Sequence, residues 1–278
     1  MARPQAPGLR VRRWEGGRWS EQADAVVTEE PLQLLLGGEP LSVVMRTPGH
    51  DVELALGLFF AEGIMSTLAD VDFVRISAES GETEDRVRLD ASIVESNHVD
   101  VRLRTGPRRK PQRAMLSSSA CGVCGAVVID DLRRDLVALR PGPAIDAGLL
   151  TSLVDKLRVA QGVFERTGGL HAAGLFDTTG RPVCVREDIG RHNAVDKVVG
   201  RMLLDGGVPI QDAVLVVSGR AGYEIVQKAI TAGIPIVAAV GAPSSLAVAL
   251  AREFGQTLVG FLRGERFNVY SAPERLAG

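Results

Sequence analysis

The sequence predicts an α/β protein: a mostly parallel sheet flanked by helices over residues 140–278, preceded by a smaller α+β subdomain at 21–139. Three observations carry this. The runs Ala213-Val-Leu-Val-Val-Ser218 and Ile234-Pro-Ile-Val-Ala-Ala-Val240 are apolar throughout, as strands covered on both faces are. Each leads into a stretch with helical spacing, and that alternation marks a parallel sheet. Residues 21–139 hold instead one helical stretch among short β-branched runs, the pattern of a half-exposed sheet.

Taken in order, residues 1–20 are rich in Arg, Pro, Gly and Trp and read as an irregular, weakly ordered tail. Leu41–Thr47 reads as a strand. A helix is expected from about Asp51 to Met65, through Leu54, Leu58 and Phe59, with Asp51 as its cap. Val71–Ile76, Arg86–Asp90 and Val99–Thr105 read as short strands. Gly106–Gly125 reads as a long loop, basic at first (Arg108, Arg109, Lys110, Arg113) and then small and polar (Ser117, Ser118, Ser119). Asp146–Thr167 is the clearest helix, with Leu149, Leu150, Leu153, Leu157, Ala160 and Phe164 on one face and Gly168-Gly169 as the stop. Leu170–Asp177 and Pro182–Arg186 form a hairpin across Thr178-Thr179-Gly180. Helices over 191–204, 222–232 and 244–254 separate the apolar strands, and Thr257–Leu262 and Phe267–Tyr270 close the chain. The two parts can share one core, so the boundary near 140 is soft.

Composition narrows the function classes. The 278 residues are 45% hydrophobic and 24% charged, with a net charge of -2. That argues against a nucleic-acid binder, which carries a basic excess. No apolar run reaches the roughly 18–20 residues that a membrane span needs. The N-terminus Met-Ala-Arg-Pro-Gln-Ala-Pro-Gly lacks a signal-peptide hydrophobic stretch, so a cytoplasmic location is expected. In a reducing cytosol the 3 cysteines do not form a disulfide framework.

Cys121 and Cys124 stand in Ser-Ser-Ser-Ala-Cys-Gly-Val-Cys-Gly, and this pair is the candidate working group. A cysteine attacks as its thiolate, whose free pKa of ~8.5 falls beside cations, helix N-termini or a second cysteine. Three readings compete. A buried structural pair does not suit so polar and Gly-rich a setting. Half of a zinc site would need four ligands, and only Cys184 and the histidines are available to complete it. A sulfur or redox nucleophile is the third, although the helix-on-strand pattern of a thioredoxin-like domain does not follow. No stoichiometric zinc is expected.

Two further constellations are polar. Arg186-Glu-Asp-Ile-Gly-Arg-His192-Asn193 opens a helix. It reads either as a cap, with Asp188 capping and Asp196-Lys197 on the solvated face, or as a phosphate-binding platform using the helix N-terminus. Ser218-Gly219-Arg220 and Gly241-Ala-Pro-Ser-Ser245 each end an apolar strand and open a helix. They read as plain turns or as sites where a backbone approaches an anion, with Arg220 forking onto phosphate. His171, on an apolar strand, reads as a satisfied core histidine, and so do His50 and His98.

Ser-Ser-Ala-Cys-Gly-Val-Cys-Gly at 118–125, Thr-Gly-Gly-Leu-His at 167–171, Arg-Glu-Asp-Ile-Gly-Arg-His-Asn-Ala-Val-Asp-Lys at 186–197, Val-Ser-Gly-Arg at 217–220 and Phe-Leu-Arg-Gly-Glu-Arg-Phe-Asn-Val-Tyr at 261–270 run in order along the chain. Together they resemble the FdhD family of formate dehydrogenase accessory sulfurtransferases, from about Glu29 to Tyr270. The resemblance implies a fold similar to cytidine deaminases and a homodimer. It implies a sulfurtransferase that takes persulfide sulfur from a cysteine desulfurase. The sulfur goes to the molybdenum bis(molybdopterin guanine dinucleotide) cofactor, on which formate dehydrogenase depends. By position, Cys121 is the implied persulfide carrier and Cys124 its partner. Phe261, Leu262, Arg263, Gly264, Glu265 and Arg266 are the implied cofactor-contacting stretch, joined by Ser218, Gly219, Arg220, Gly241 and His192. GDP is the expected mimic of the guanine dinucleotide, and Arg263 and Arg266 are its diphosphate partners unless they are solvated surface charge. Deamination does not fit: Ala172 and Ala173 follow His171 where a zinc deaminase has its catalytic Glu, and no Pro precedes Cys121. The alternative from another class is a cofactor- or nucleotide-binding chaperone with no covalent cysteine role.

Overall fold

Short connections force neighbouring strands to run antiparallel, whereas strands joined through helices run parallel. Both kinds of connection occur here, and they set the architecture. The structure is a computed structural model that describes residues 4–77, 97–109, 115–117 and 136–278. The chain opens with β1 (Gly8–Glu15), β2 (Arg18–Ala25), β3 (Glu30–Leu36), β4 (Glu39–Arg46) and α1 (Asp51–Ala61). β5 (Val71–Ser77), β6 (His98–Leu103), β7 (Met115–Ser117) and β8 (Ile145–Asp146) follow. Then come α2 (Ala147–Val159), α3 (Gly162–Thr167), β9 (His171–Asp177), β10 (Pro182–Asp188), α4 (Arg191–Leu204) and β11 (Ala213–Val217). The last elements are α5 (Tyr223–Thr231), β12 (Ile236–Ala239), α6 (Ser245–Glu253), β13 (Thr257–Arg263), β14 (Arg266–Ser271) and β15 (Leu276–Ala277).

The main sheet has the order β10-β9-β11-β12-β13-β14. Only β11–β12 and β12–β13 pair in parallel; β9–β10, β9–β11 and β13–β14 are antiparallel. The sheet is therefore mixed rather than mostly parallel. The turn at Thr178-Thr179-Gly180 and the two-residue turn Gly264-Glu265 are too short for crossovers: the first sets β9 antiparallel between β10 and β11, and the second adds β14 as an antiparallel edge beside the three-stranded parallel centre. One face is covered by α2, through Leu150, Leu153 and Leu157 against Phe176, Val214, Val216, Ile236 and Val259. The other carries Val195, Val198 and Val199 of α4, Ile225 and Val226 of α5 and Leu250 of α6.

The N-terminal part forms a five-stranded sheet, order β5-β6-β3-β4-β7, and joins the same core. Its link is α1, which lies against α4 with no side chain between the backbones. A Cβ on Gly57 would lie 1.9 Å from the Asp196 carbonyl oxygen, and one on Gly200 would lie 1.8 Å from that of Glu53.

Several elements depart from the sequence reading. Within residues 1–20, β1 begins at Gly8 and pairs with β2 in an antiparallel hairpin, with Trp14 opposite Trp19 and their ring centroids 5.2 Å apart. The strand β3 gave no clear signal in the sequence. α1 stops at Ala61, short of Met65, and its cap is the left-handed His50, not Asp51. Asp51 instead accepts from Arg46 Nε and Nη2 at 3.0 and 2.9 Å, an ion pair buried beneath the sheet. The expected helix 146–167 is two helices, α2 capped by Asp146, which accepts from Leu149 N–H, and α3 closed by left-handed Gly168. Met115–Ser117, placed in a loop by composition, pairs in parallel with β4. The strand expected at 86–90 lies outside the described residues. Asp196 and Lys197, expected in solvent, are 2% and 1% exposed, because α4 is enclosed by α1, α5 and the sheet.

Candidate functional site

In an open α/β sheet, ligands collect beyond the carboxyl ends of the parallel strands, where helix N-termini present free N–H groups. Here that edge lies beyond β11, β12 and β13, and the sequence places the turns 218–220 and 241–245 and the residues from Phe261 on it. Backbone hydrogen bonds lock these pieces together. Gly241 N–H donates to the Gly219 carbonyl at 3.0 Å, and Phe261 N–H donates to the Gly241 carbonyl at 3.1 Å. Gly241 has no room for a side chain, since a Cβ there would lie 3.0 Å from both Gly219 O and Arg220 Cγ. Ser218 Oγ accepts from Ala172 N–H at 2.9 Å, and Ser218 N–H donates to the Ala172 carbonyl at 3.0 Å. The serine thus serves as a clasp between β9 and β11.

The β13–β14 hairpin provides an open pocket of about 380 Å³ lined by Phe261, Arg263, Arg266, Phe267 and Asn268. Phe261 sits in the left-handed region at φ 55°, rare for a bulky residue, and a register shift in β13 accompanies it. That turn sends an aromatic ring, 38% exposed, to the rim of the pocket. The Arg263 guanidinium carbon stands 5.9 Å from the ring centroid, within cation–π range. Gly264, at φ 52°, and Glu265 form the exposed hairpin tip. Leu262 does not belong with them: it is fully buried and packs in the core beneath α2. The irregularity at Phe261 gives the reason: past the register shift Leu262 joins Val259 in the core, while Phe261 and Arg263 on either side are exposed.

At the other end of the same edge the N-termini of α4 and α5 meet. Asp188, fully buried at the end of β10, accepts from the N–H groups of Gly190 (2.8 Å) and Thr47 (3.2 Å) and from Asn193 Nδ2 (2.9 Å). Lys197 Nζ lies 2.7 Å from Asp188 Oδ2 and donates to the Thr47 carbonyl at 2.9 Å. The polar turn at 186–193 is thus largely a structural latch to the end of β4. Glu53 strengthens it through a two-pronged ion pair with Arg186. Burial alone would raise the Glu53 carboxyl, but Arg186 and His50 outweigh it and hold it at about 2.

His192 is the exception in this turn. It faces Glu224 of α5, with Nε2 3.3 Å from Oε2. Burial, with Arg191, Lys228 and His171, holds its imidazole down at about 3, so it is neutral. His171, read from sequence as a core residue, is half-buried at this edge and is also depressed by burial, then by Arg191. A Cβ on Gly219 would touch His171 Nδ1 at 3.4 Å and Arg191 Cδ at 3.6 Å. His171, Arg191, Phe267 and Asn268, which stand in the sequence motifs without an individual site role, therefore belong to this edge, and so does Glu224, which no motif contains. An acidic residue in the first turn of a helix reads simply as a favourable dipole partner, and so Glu224 passed unnoticed. Cys121 and Cys124 lie outside the described residues. The third cysteine, Cys184, is buried in β10, and burial pushes its thiol up to about 11, which leaves it inert as a nucleophile.

The model of the FdhD/NarQ family matches residues 27–277. A sulfur carrier protein FdhD of Streptomyces avermitilis is 47% identical over 274 residues, which covers 96% of this chain and 94% of that protein. One of Nocardia farcinica is 49% identical over 257 residues, covering 91% and 88%. A crystal structure described as a formate dehydrogenase accessory protein, from Desulfotalea psychrophila, superposes with a TM-score of 0.76 at 24% identity, over 99% of this chain and 100% of that one. It shows that the fold is shared.

Proposed function

The chain belongs to the FdhD/NarQ family, and from that premise we propose that it is a sulfur carrier that serves formate dehydrogenase. In this reading Cys121 accepts persulfide sulfur from a cysteine desulfurase, and Cys124 assists it. The sulfur is then delivered to a molybdenum bis(molybdopterin guanine dinucleotide) substrate seated on the carboxyl edge of the sheet. The protein works in the cytoplasm as a homodimer; among the described residues no helix is long and apolar enough to cross a membrane.

One observation supports the substrate half most directly. The left-handed Phe261, tied to the Gly241 turn, offers a ring face beside Arg263 and Arg266 at the mouth of an open pocket. An aromatic face with flanking guanidinium groups suits a purine base and its diphosphate: the ring stacks, and the guanidinium forks take phosphate oxygens by charge-assisted hydrogen bonds. Glu265, exposed at the tip, carries the wrong sign for phosphate and is the member of the stretch least suited to it. The test is calorimetric titration with GDP. Each charge-assisted bond contributes about 1.5–3 kcal/mol, so Arg263→Ala should bind GDP roughly tenfold or more weakly. Equal affinity would remove Arg263 from the site. A chaperone without covalent chemistry would bind GDP equally well, so the cysteines decide between the two readings.

A further inference from the structure

We infer that Glu224 is a positioning residue for His192 and that the two side chains share one exchangeable proton at the carboxyl edge of the sheet. What that proton serves rests on the sulfur-carrier reading; the pair itself does not. His192 is the second residue of α4 and Glu224 the second of α5, so the two helix N-termini bring them to 3.3 Å. Glu224 is 9% exposed, and its second oxygen, Oε1, is buried without a hydrogen-bond partner among the described residues. A dry, unpartnered carboxylate oxygen is costly, whereas a carboxyl that keeps its proton is not.

The surroundings agree. Burial acts first on Glu224 and raises it; Lys228 on its own helix and Arg191 on α4 favour the anion, while Asp196 on α4 and Glu62 after α1 oppose it. The balance stands at about 7. Lys228 is held mainly by Asp196, at 2.6 Å, and so is only partly available to Glu224. The imidazole of His192 stays neutral throughout, under burial and the charges of Arg191 and Lys228.

The pair therefore has two states near neutrality. In one, Glu224 donates its O–H to Nε2 and the ring hydrogen sits on Nδ1. In the other, Nε2–H donates to the carboxylate and Nδ1 carries a lone pair. Passing from the first to the second breaks the Nδ1–H bond and the Glu224 O–H bond and forms one Nε2–H bond. One proton leaves through Nδ1, and no electrons change owner. A neutral imidazole can in this way donate a proton without becoming a cation beside Arg191. The acceptor class that the proposed chemistry generates is a thiolate: when a nucleophile takes the outer sulfur of a persulfide, the S–S electron pair departs with the inner sulfur, which then needs a proton.

The experiment uses the full chain, labelled with nitrogen-15, and follows the His192 ring nitrogens from about pH 5 to about pH 9, with His192→Gln identifying the signals. The expected result is a ring hydrogen that moves from Nδ1 to Nε2 with a midpoint near the Glu224 value. In Glu224→Gln the amide does not titrate, so the ring hydrogen should stay on one nitrogen at every pH. The persulfide-transfer rate should fall on the alkaline side in the wild type. In Glu224→Gln it should fall at all pH values, by on the order of a hundredfold, and Glu224→Asp should restore part of it. Ring nitrogens that do not respond to pH, or that respond equally in Glu224→Gln, overturn the shared proton. An intact toggle with unchanged transfer in Glu224→Gln overturns its role in sulfur handling, and leaves the carrier function to be judged on the cysteines.

Discussion

Gly200→Ala places one methyl where two helix backbones touch. The added carbon would lie 1.8 Å from the Glu53 carbonyl oxygen and 2.6 Å from its carbonyl carbon, against an ordinary contact of 3.4–4 Å. No side chain can rotate away, because the obstruction is backbone. α1 must retreat from α4 by roughly 1.5 Å, opening the core around Leu54 and Val199 and loosening the Glu53–Arg186 pair. In an exposed helix the same change would stabilise by up to about 1 kcal/mol. Here overpacking reverses the sign, and we expect a loss of about 3 kcal/mol or more. In urea the unfolding midpoint should fall by roughly 1 M or more. Gly57→Ala meets the Asp196 carbonyl at 1.9 Å and forces the same separation, so the double variant should cost clearly less than the sum of the two. A loss below about 1 kcal/mol for Gly200→Ala would refute the direct backbone contact on which the α1–α4 packing is argued.

Two other perturbations probe the ion pairs. Lys197→Met leaves Asp188 charged and enclosed, and should cost about 3–5 kcal/mol by denaturant titration; a change within about 0.5 kcal/mol would mean that the pair contributes nothing. For pH, Glu53 is held at about 2 and His192 at about 3, both below their free values, so each supports the fold above its free value of 4.5 or 6.5 and loses that support as the pH falls toward its folded value. Glu224 at about 7 and Asp196 at about 6 are raised and act in the opposite sense, favouring the fold at low pH. Between pH 4.5 and 6 the two raised carboxyls, Glu224 and Asp196, outweigh the one depressed imidazole, so these three groups together favour the fold more as the pH falls. Only between pH 6 and 6.5 do Glu224 and His192 offset each other. Stability should then fall below pH 3.8, where the shifts of His192 and Glu53 are no longer opposed by Asp196, by roughly 3 kcal/mol per pH unit. A stability that rises from pH 4.5 to pH 3 would contradict the assignment.

Where a single physical signal dominated, the fold was legible in the sequence. The apolar runs at Ala213 and Ile234 read as buried strands, and of the two serines at 244 and 245 that could cap the following helix it is Ser244 that does so, accepting from Ala247 N–H. The mixed sheet was harder to read, because direction depends on connection length and the hairpin at Gly264-Glu265 hides inside a motif recognised for other reasons. Asp196 and Lys197 misled for a different reason. Charged residues side by side on a helix usually face water; here each has a partner on another element, Lys228 of α5 and Asp188 of β10, that only the tertiary structure supplies. The candidate site divides in the same way. Phe261, Arg263 and Arg266 could be named from their motif, and the structure places them in one pocket. Leu262 had to be removed from that group. The pairing of His192 with Glu224 joins two helix starts 32 residues apart, and no local pattern encodes it.

The proposal that sulfur travels on this chain is tested most directly by intact-mass spectrometry of the full-length protein after incubation with a cysteine desulfurase and cysteine. The wild type should gain the mass of one sulfur atom, lose it on treatment with a thiol reductant, and carry it on the peptide that contains Cys121. Cys121→Ala should gain none and should fail to activate formate dehydrogenase in cells. A wild-type protein that gains no sulfur, or a Cys121→Ala protein that still activates the dehydrogenase fully, would contradict a covalent carrier.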